Sequence, residues 1–471
     1  MHKALAAVAA GIIAIRADGL AQQSPARELS TDEQIAHVLS RLAFGARPGD
    51  AERMKQMGVD RWIAEQLTPE RIADKGVEAA LWPIVSWSRG PMSIDAQMAM
   101  AGPTQAPITS IVENPRGGTM SVTVNYVPPV DEHFYAGKII RAEMSERQLA
   151  EVMADFWENH FSVYRDKMPQ FDALMVLSRD AIRPRALGKF RDLLGAVTHT
   201  PAMQYYLDNS SSTVAGLNEN YARELLELHT LGVDGGFTER DVGEVARALT
   251  GWGYAPVFAR NGYPARLFAF TSADHDTAEK TILGRRLPSG RGIPDGEEVL
   301  DMLAAHPSTA RFIATKLARH FVSDSPPPSL VDRAAARFTA TQGDIAEVVR
   351  AIVTSPEFFS RAAFRAKVKT PFEFVVSARR AYGMPVDTST ATVAAIEGMG
   401  QPMWGRRSPD GWPDRAEYWM NSGAMLNRLS FAAEFAAEFA QLAMARPDVR
   451  ALGTTEMDVA LLVGSPAFQR R

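Results

Sequence analysis

A chain of 471 residues, 46% hydrophobic and 23% charged, holds enough apolar material for a large folded core. Its formal net charge of −4 comes from interspersed residues of both signs, so there is no basic footprint for nucleic acid and a DNA-binding role is disfavoured. The absence of cysteine excludes disulfides, zinc ribbons, iron–sulfur clusters, thiol nucleophiles and covalently attached haem; any metal would need His, Asp or Glu.

The chain starts with Lys3 ahead of an apolar run from Ala4 to Ile15, followed by small residues and Gly19-Leu20-Ala21-Gln22. That order predicts a secretory signal peptide over residues 1–21, its apolar stretch too short to span a bilayer. Cleavage after Ala21 removes Lys3, Arg16 and Asp18, two basic residues and one acidic, and takes the charge from −4 to −5. The alternative is an uncleaved anchor, and Arg16 and Asp18 interrupt the run. No later segment is apolar enough to cross a membrane, so the mature protein is expected to be periplasmic or secreted.

Helical punctuation then recurs along the chain: a capping residue, an acidic or amide residue three positions on, and apolar residues at three- and four-residue spacing. Thr31 with Gln34 opens a helix that Gly45 stops. The stretch from Ser86 to Pro129 reads as an irregular insertion, a lid or a surface excursion, with strand-like alternation at 119–126. Ser145 with Gln148 opens a helix through Phe161, Asn218 to Gly232 forms another, and Thr238 with Asp241 begins one that runs to Trp252. A second short alternation lies at 265–270, and Ser308 starts a helix through Phe321. Gly383 to Asn421 reads as loop-rich and carries Trp404 and Trp412, which suit a sugar platform or the sealing of a core. The repeat Phe431, Phe435, Phe439 predicts an amphipathic helix packed on the core. These features give a mainly α fold: one large multi-helix domain over residues 30–445, with long irregular loops, at most small hairpins, and a C-terminal tail over 446–471.

Two helices carry unexpected polarity. On a wheel of about 100° per residue, His160 falls on the apolar face of the 146–161 helix, with Asn159 at its boundary. It reads either as a core histidine bonded to a carbonyl or as a proton carrier or metal ligand facing the interior. In the second helix Asn220, Arg223, Glu224 and Glu227 form a narrow polar stripe among Tyr221, Ala222, Leu225 and Leu226. Arg223 can keep one carboxylate ionised while a drier one stays protonated, which suits acid–base work; a structural Arg–Glu network is the equal alternative. His229 lacks the spacing of a zinc-protease helix, and 234–241 lacks the oxygen series of a calcium loop. The loop with His275, Asp276 and Lys280 concentrates ionisable groups outside regular structure, where they line a cleft or serve as cap and surface residues.

These segments resemble the domain of unknown function 1800 family (DUF1800) of exported bacterial proteins. The resemblance lies in His37 to Gly45, Phe156 to Phe161, Asn218 to Gly232, Ala246 to Trp252, His275-Asp276 with Lys280 and Gly284, His306 to Ala310 and Lys369 to Phe374. It covers about residues 30 to 440 and implies a single exported, mainly helical domain without supplying a reaction. Glu158 departs from the family's pattern at that position.

The resulting expectation is an exported enzyme, a glycoside hydrolase or lyase, acting on a polysaccharide. Glu224 and Glu227 are assigned as its acid–base pair with His160 nearby. A lyase would use His160 as base with Arg223 or Lys280 steadying the anion. Asn159, Asn220, Arg223, Trp252, His275, Asp276, Lys280, Trp404 and Trp412 are assigned to substrate binding. The other readings are a metal- or cofactor-binding helical protein, with His160, Glu224 and His275 as ligands, and a non-catalytic envelope binding or assembly module. No cofactor is specified.

Overall fold

The computed structural model describes residues 27–81, 108–113, 119–124, 131–168, 172–258, 264–445 and 454–471. The expected signal peptide and most of the 86–129 insertion lie outside the described residues. Within them the chain begins with α1 (Thr31–Arg41), α2 (Asp50–Met57), α3 (Val59–Gln66) and α4 (Lys75–Leu81). A hairpin of β1 (Ile108–Glu113) and β2 (Thr119–Val124) leads to α5 (Asp131–Met144) and α6 (Gln148–His160). Next come α7 (Asp172–Val176), α8 (Phe190–Thr198), α9 (Pro201–Tyr206), α10 (Asn220–Glu224) and α11 (Glu239–Leu249). Two further hairpins follow, β3 (Trp252–Phe258) with β4 (Pro264–Phe270), and β5 (Lys280–Ile282) with β6 (Arg285–Leu287). The remainder is helical: α12 (Ile293–Ala305), α13 (Pro307–Phe321), α14 (Pro328–Ala340), α15 (Ile345–Val353), α16 (Pro371–Ala381), α17 (Thr390–Gly398), α18 (Ala416–Trp419), α19 (Ser422–Ala445) and α20 (Glu456–Gly464). The fold is mainly α, with three two-stranded antiparallel sheets as its only described sheet structure.

Helix starts follow the local chemistry of backbone capping. The reciprocal box expected at Thr238–Asp241 is present, and Asp241 uses its second oxygen to accept from the Leu283 amide at 2.7 Å, tying α11 to the β5–β6 hairpin. At α1 the box is Ser30–Glu33, one residue earlier than expected. Ser145 does not cap α6: Gln148 turns its amide back onto the Ala142 and Ser145 carbonyls, and α6 starts at that residue. At α13 the cap is His306, whose Nδ1 accepts from the Ser308 amide at 3.1 Å. Helix α11 stops at Leu249, and Trp252 opens β3 instead of closing the helix. The 383–421 region, read as loop, contains α17.

One contiguous apolar core runs through these elements, α13 packing on α14, α14 on α15, and α12 against α8 and α11. Phe435 and Phe439 are buried in it, as the four-residue repeat predicted. The residues read as a tail continue the fold: Val459 and Val463 of α20 are fully buried against α19, and Arg471 and Lys367 exchange backbone hydrogen bonds of 2.9 and 3.2 Å.

Candidate active site

The C-terminal turn of α6, one face of α13 and the loop 401–415 enclose a cavity of about 310 Å³. Asn159 fixes the loop to the helix. Its side-chain Nδ2 donates to the Trp412 carbonyl at 2.9 Å and its Oδ1 accepts from the Trp412 amide at 2.7 Å. The approach is so close that a Cβ on Gly411, whose φ is +74°, would overlap the Asn159 carbonyl oxygen. Trp404 is buried against Phe134 and Tyr135, at ring distances of 4.1 and 6.3 Å, whereas Trp412 is half-buried with an Arg406 guanidinium 5.6 Å from its ring.

Lys316, Arg319 and His320 lie three and four residues apart on α13 and share the face lining the cavity; Ile313, Ala314, Leu317 and Phe321 are buried in the core. His320 is 8% exposed. Its Nδ1 lies 3.2 Å from Asp414 Oδ2, and Arg471 approaches the same nitrogen at 3.5 Å. The carboxylate is the nearer partner and only accepts, so Nδ1 carries the proton and donates to it. The other ring nitrogen, Nε2, is buried and has no hydrogen-bond partner. Burial alone would raise the pKa of Asp414, but Lys367, with Nζ 2.7 Å from Oδ1, and His320 hold it well below the usual carboxylate range.

His160 is set differently. Its Nε2 lies 3.1 Å from the carbonyl oxygen of His229, which can only accept, so this nitrogen is protonated and Nδ1 is left as an unpartnered acceptor in the buried ring. The carbonyl is among those left unpaired at the C-terminal end of a helix. Burial, then Lys316 and His229, push the His160 pKa well below that of a free imidazole. His160 is therefore neutral and able to accept a hydrogen bond.

The carboxylates lining the cavity are all engaged. Asp155 and Glu158 share Lys138 at 2.5 and 2.7 Å, Asp410 pairs with Arg406 at 2.8 Å, and Glu373 caps α16 while meeting Arg471 at 3.1 Å.

Of the residues singled out from sequence, the structure brings Asn159, His160, Trp404 and Trp412 to this cavity. It does not bring the others. Glu224 and Glu227 are not among the lining residues; they sit where α10 passes into a π-helical turn, Leu225–Thr230, before Gly232 at φ +83°. Glu224 is half-buried, and burial, then Glu227, raise its pKa. Arg223 pairs with Glu227 at 3.6 Å, but its nearest partner is another carboxylate. It makes a bidentate contact with Glu239 at 2.9 and 2.7 Å. Asn220 is exposed, its amide reaching Leu207 O and Asp208 at 3.3 Å.

The residues 275–280 build an interior support rather than a cleft. Asp295, 1% exposed, binds Lys280 at 2.7 Å and Arg291 at 3.0 Å, with His275 Nε2 3.5 Å away, while His275 Nδ1 donates to Thr250 O at 2.8 Å. Asp276 pairs with Arg247 at 2.7 Å. Trp252, assigned to substrate binding, is buried against His199 and Phe268 and does not line the cavity. His160, Glu224 and His275 do not converge as metal ligands, and among the described residues no group of three or more His, Asp or Glu is placed to hold a metal ion.

The profile of a family described as "Protein of unknown function (DUF1800)" matches residues 37–469. The chain belongs to the DUF1800 family. None of the curated proteins and none of the solved structures matches it. In this DUF1800 chain the residues missed from sequence are Lys316, Arg319, His320 and Asp414. The first three carried a visible signal, three basic groups at three- and four-residue spacing along one face of an amphipathic helix. Asp414 carried none, because nothing local pairs it with a histidine 94 positions away.

Proposed function

We propose that this DUF1800 chain is an exported enzyme acting on a polysaccharide by histidine acid–base catalysis in the cavity between α6, α13 and the 401–415 loop. The observation that carries this reading is His320, buried in the cavity wall, with Asp414 behind Nδ1 and an Nε2 that is buried and has no hydrogen-bond partner. An imidazole held in one tautomer by a carboxylate is equipped to take a proton at its other nitrogen, and the carboxylate steadies the imidazolium that results. The proton comes from a water in hydrolysis or from a ring carbon in elimination. Half-buried Trp412 offers an aromatic face to a sugar ring, and His160, neutral and held on the His229 carbonyl, backs the same wall. The carboxylate-pair mechanism is less well supported, since every lining carboxylate is committed to a cation and Glu224 and Glu227 stand outside.

The test is cleavage of a polysaccharide panel by the purified full chain, followed as new chain ends. His320→Gln should lose about 100-fold or more in rate while keeping the wild-type circular dichroism spectrum. A folded His320→Gln protein as active as wild type would sink the assignment.

A further inference from the structure

We infer that the polysaccharide accepted by this cavity is anionic, with a carboxylate or sulfate of a sugar seated on Lys316, Arg319 and Arg415. The inference rests on the cavity being the working site, and adds the substrate's chemical class. Six cationic side chains line the cavity, and three of them, Lys138, Arg406 and Arg471, are ion-paired with lining carboxylates. Lys316, Arg319 and Arg415 have no ion pair among the described residues. The Lys316 ammonium has the Phe312 ring at 5.4 Å, and Arg319 spends only its Nε on the Asp324 carbonyl, at 3.3 Å. Both side chains are half-buried, so water does not fully replace a missing anion.

The three groups also act on one another. Burial first, and then Arg319, lower the Lys316 pKa to about 8; burial first, and then Arg415, lower that of Arg319. Asp414 and Asp410 offset this in part for Lys316, but each is committed to its own cation. A solvated basic stripe would spread its charges. Here mutually repelling cations converge on one concave surface beside a histidine whose Nε2 has no hydrogen-bond partner, an arrangement that a bound oxyanion relieves. The guanidinium forks match a planar carboxylate or a sulfate, and both occur on acidic glycans.

Binding and cleavage by the full chain should be measured side by side on a polyuronate, a sulfated polysaccharide, the carboxyl-reduced form of the polyuronate and a neutral glucan. At least one anionic polymer should bind, the reduced polymer and the glucan should not, and Arg319→Gln or Arg415→Gln should weaken binding about tenfold or more. Arg415 is exposed, so its variant leaves folding intact; Lys316→Met gives an independent second variant. His320→Gln should bind the anionic polymer with unchanged affinity. Equal binding of neutral and anionic polymers, no binding of any, or anionic binding indifferent to all three substitutions would overturn the inference. Cation-dependent binding without cleavage by the wild type keeps this inference and removes the enzymatic reading; His320-dependent cleavage of the neutral glucan alone does the reverse.

Discussion

Glu224 and Glu227 share a helix face, yet a shared face is not a shared cavity. Arg223, counted as their neighbour, is drawn off by Glu239 from the next helix. Substituting either glutamate by glutamine should therefore leave catalytic rate within about twofold of wild type, as for residues that do not line the cavity. Glu224→Gln should also melt higher at neutral pH. The folded pKa of Glu224 lies above its ordinary 4.5, so the folded state favours the protonated form, and the stability this gives is lost as pH rises through the folded pKa. Lys316 makes the opposite prediction for binding. The Phe312 ring lies 5.4 Å from its ammonium, Arg319, Asp410 and Asp414 act on its charge, it acts in turn on His160 and His229, and it loses its proton near pH 8. Affinity for an anionic polymer should fall as pH rises through about 8, and Lys316→Met should lack that step, as a titration of binding against pH would record. The same depression, from 10.5 to about 8, makes the folded chain more stable as pH rises between those values, because the unfolded chain then holds the extra proton.

At the level of elements, what was legible and what was not divide by range. Caps act over three residues, so Thr238–Asp241 could be read directly and α1 was displaced only because Ser30 and Thr31 are both competent caps. The short alternations at 119–126 and 265–270 identified β2 and β4, and both are paired as hairpins. The π turn at Leu225–Thr230 left no trace in the apolar spacing, since its register is a property of backbone hydrogen bonds. The 275–280 loop misled for a different reason: His275 and Lys280 answer to Asp295 on α12 and Asp276 to Arg247 on α11, partners out of sight of local sequence. Asp295→Asn keeps the shape but leaves Lys280 and Arg291 facing an uncharged amide in the interior, at a loss of about 3–5 kcal/mol. Chemical denaturation should show that loss, while ligand affinity at the cavity should not change.

For the whole molecule, fold class followed from periodicity because burial of one helix face is repeated along the chain. The cavity did not, because its walls come from positions such as Asn159, His320 and Trp412, brought together only by tertiary packing. No described helix is long and apolar enough to cross a membrane. Export predicts that protein recovered from the periplasm or medium begins at Gln22; N-terminal sequencing that instead finds Met1 in the membrane fraction would favour the uncleaved anchor.

The clasp between Asn159 and Trp412 ties the cavity to chemical ageing. An asparagine amide hydrolyses slowly to a carboxylate of nearly the same outline, and at position 159 that change would set an oxygen against the Trp412 carbonyl, where a donor now lies 2.9 Å away. One wall of the cavity would then lose its fastening with no change in volume or packing. Storage damage at a single amide would be felt at the binding site while the core stayed intact.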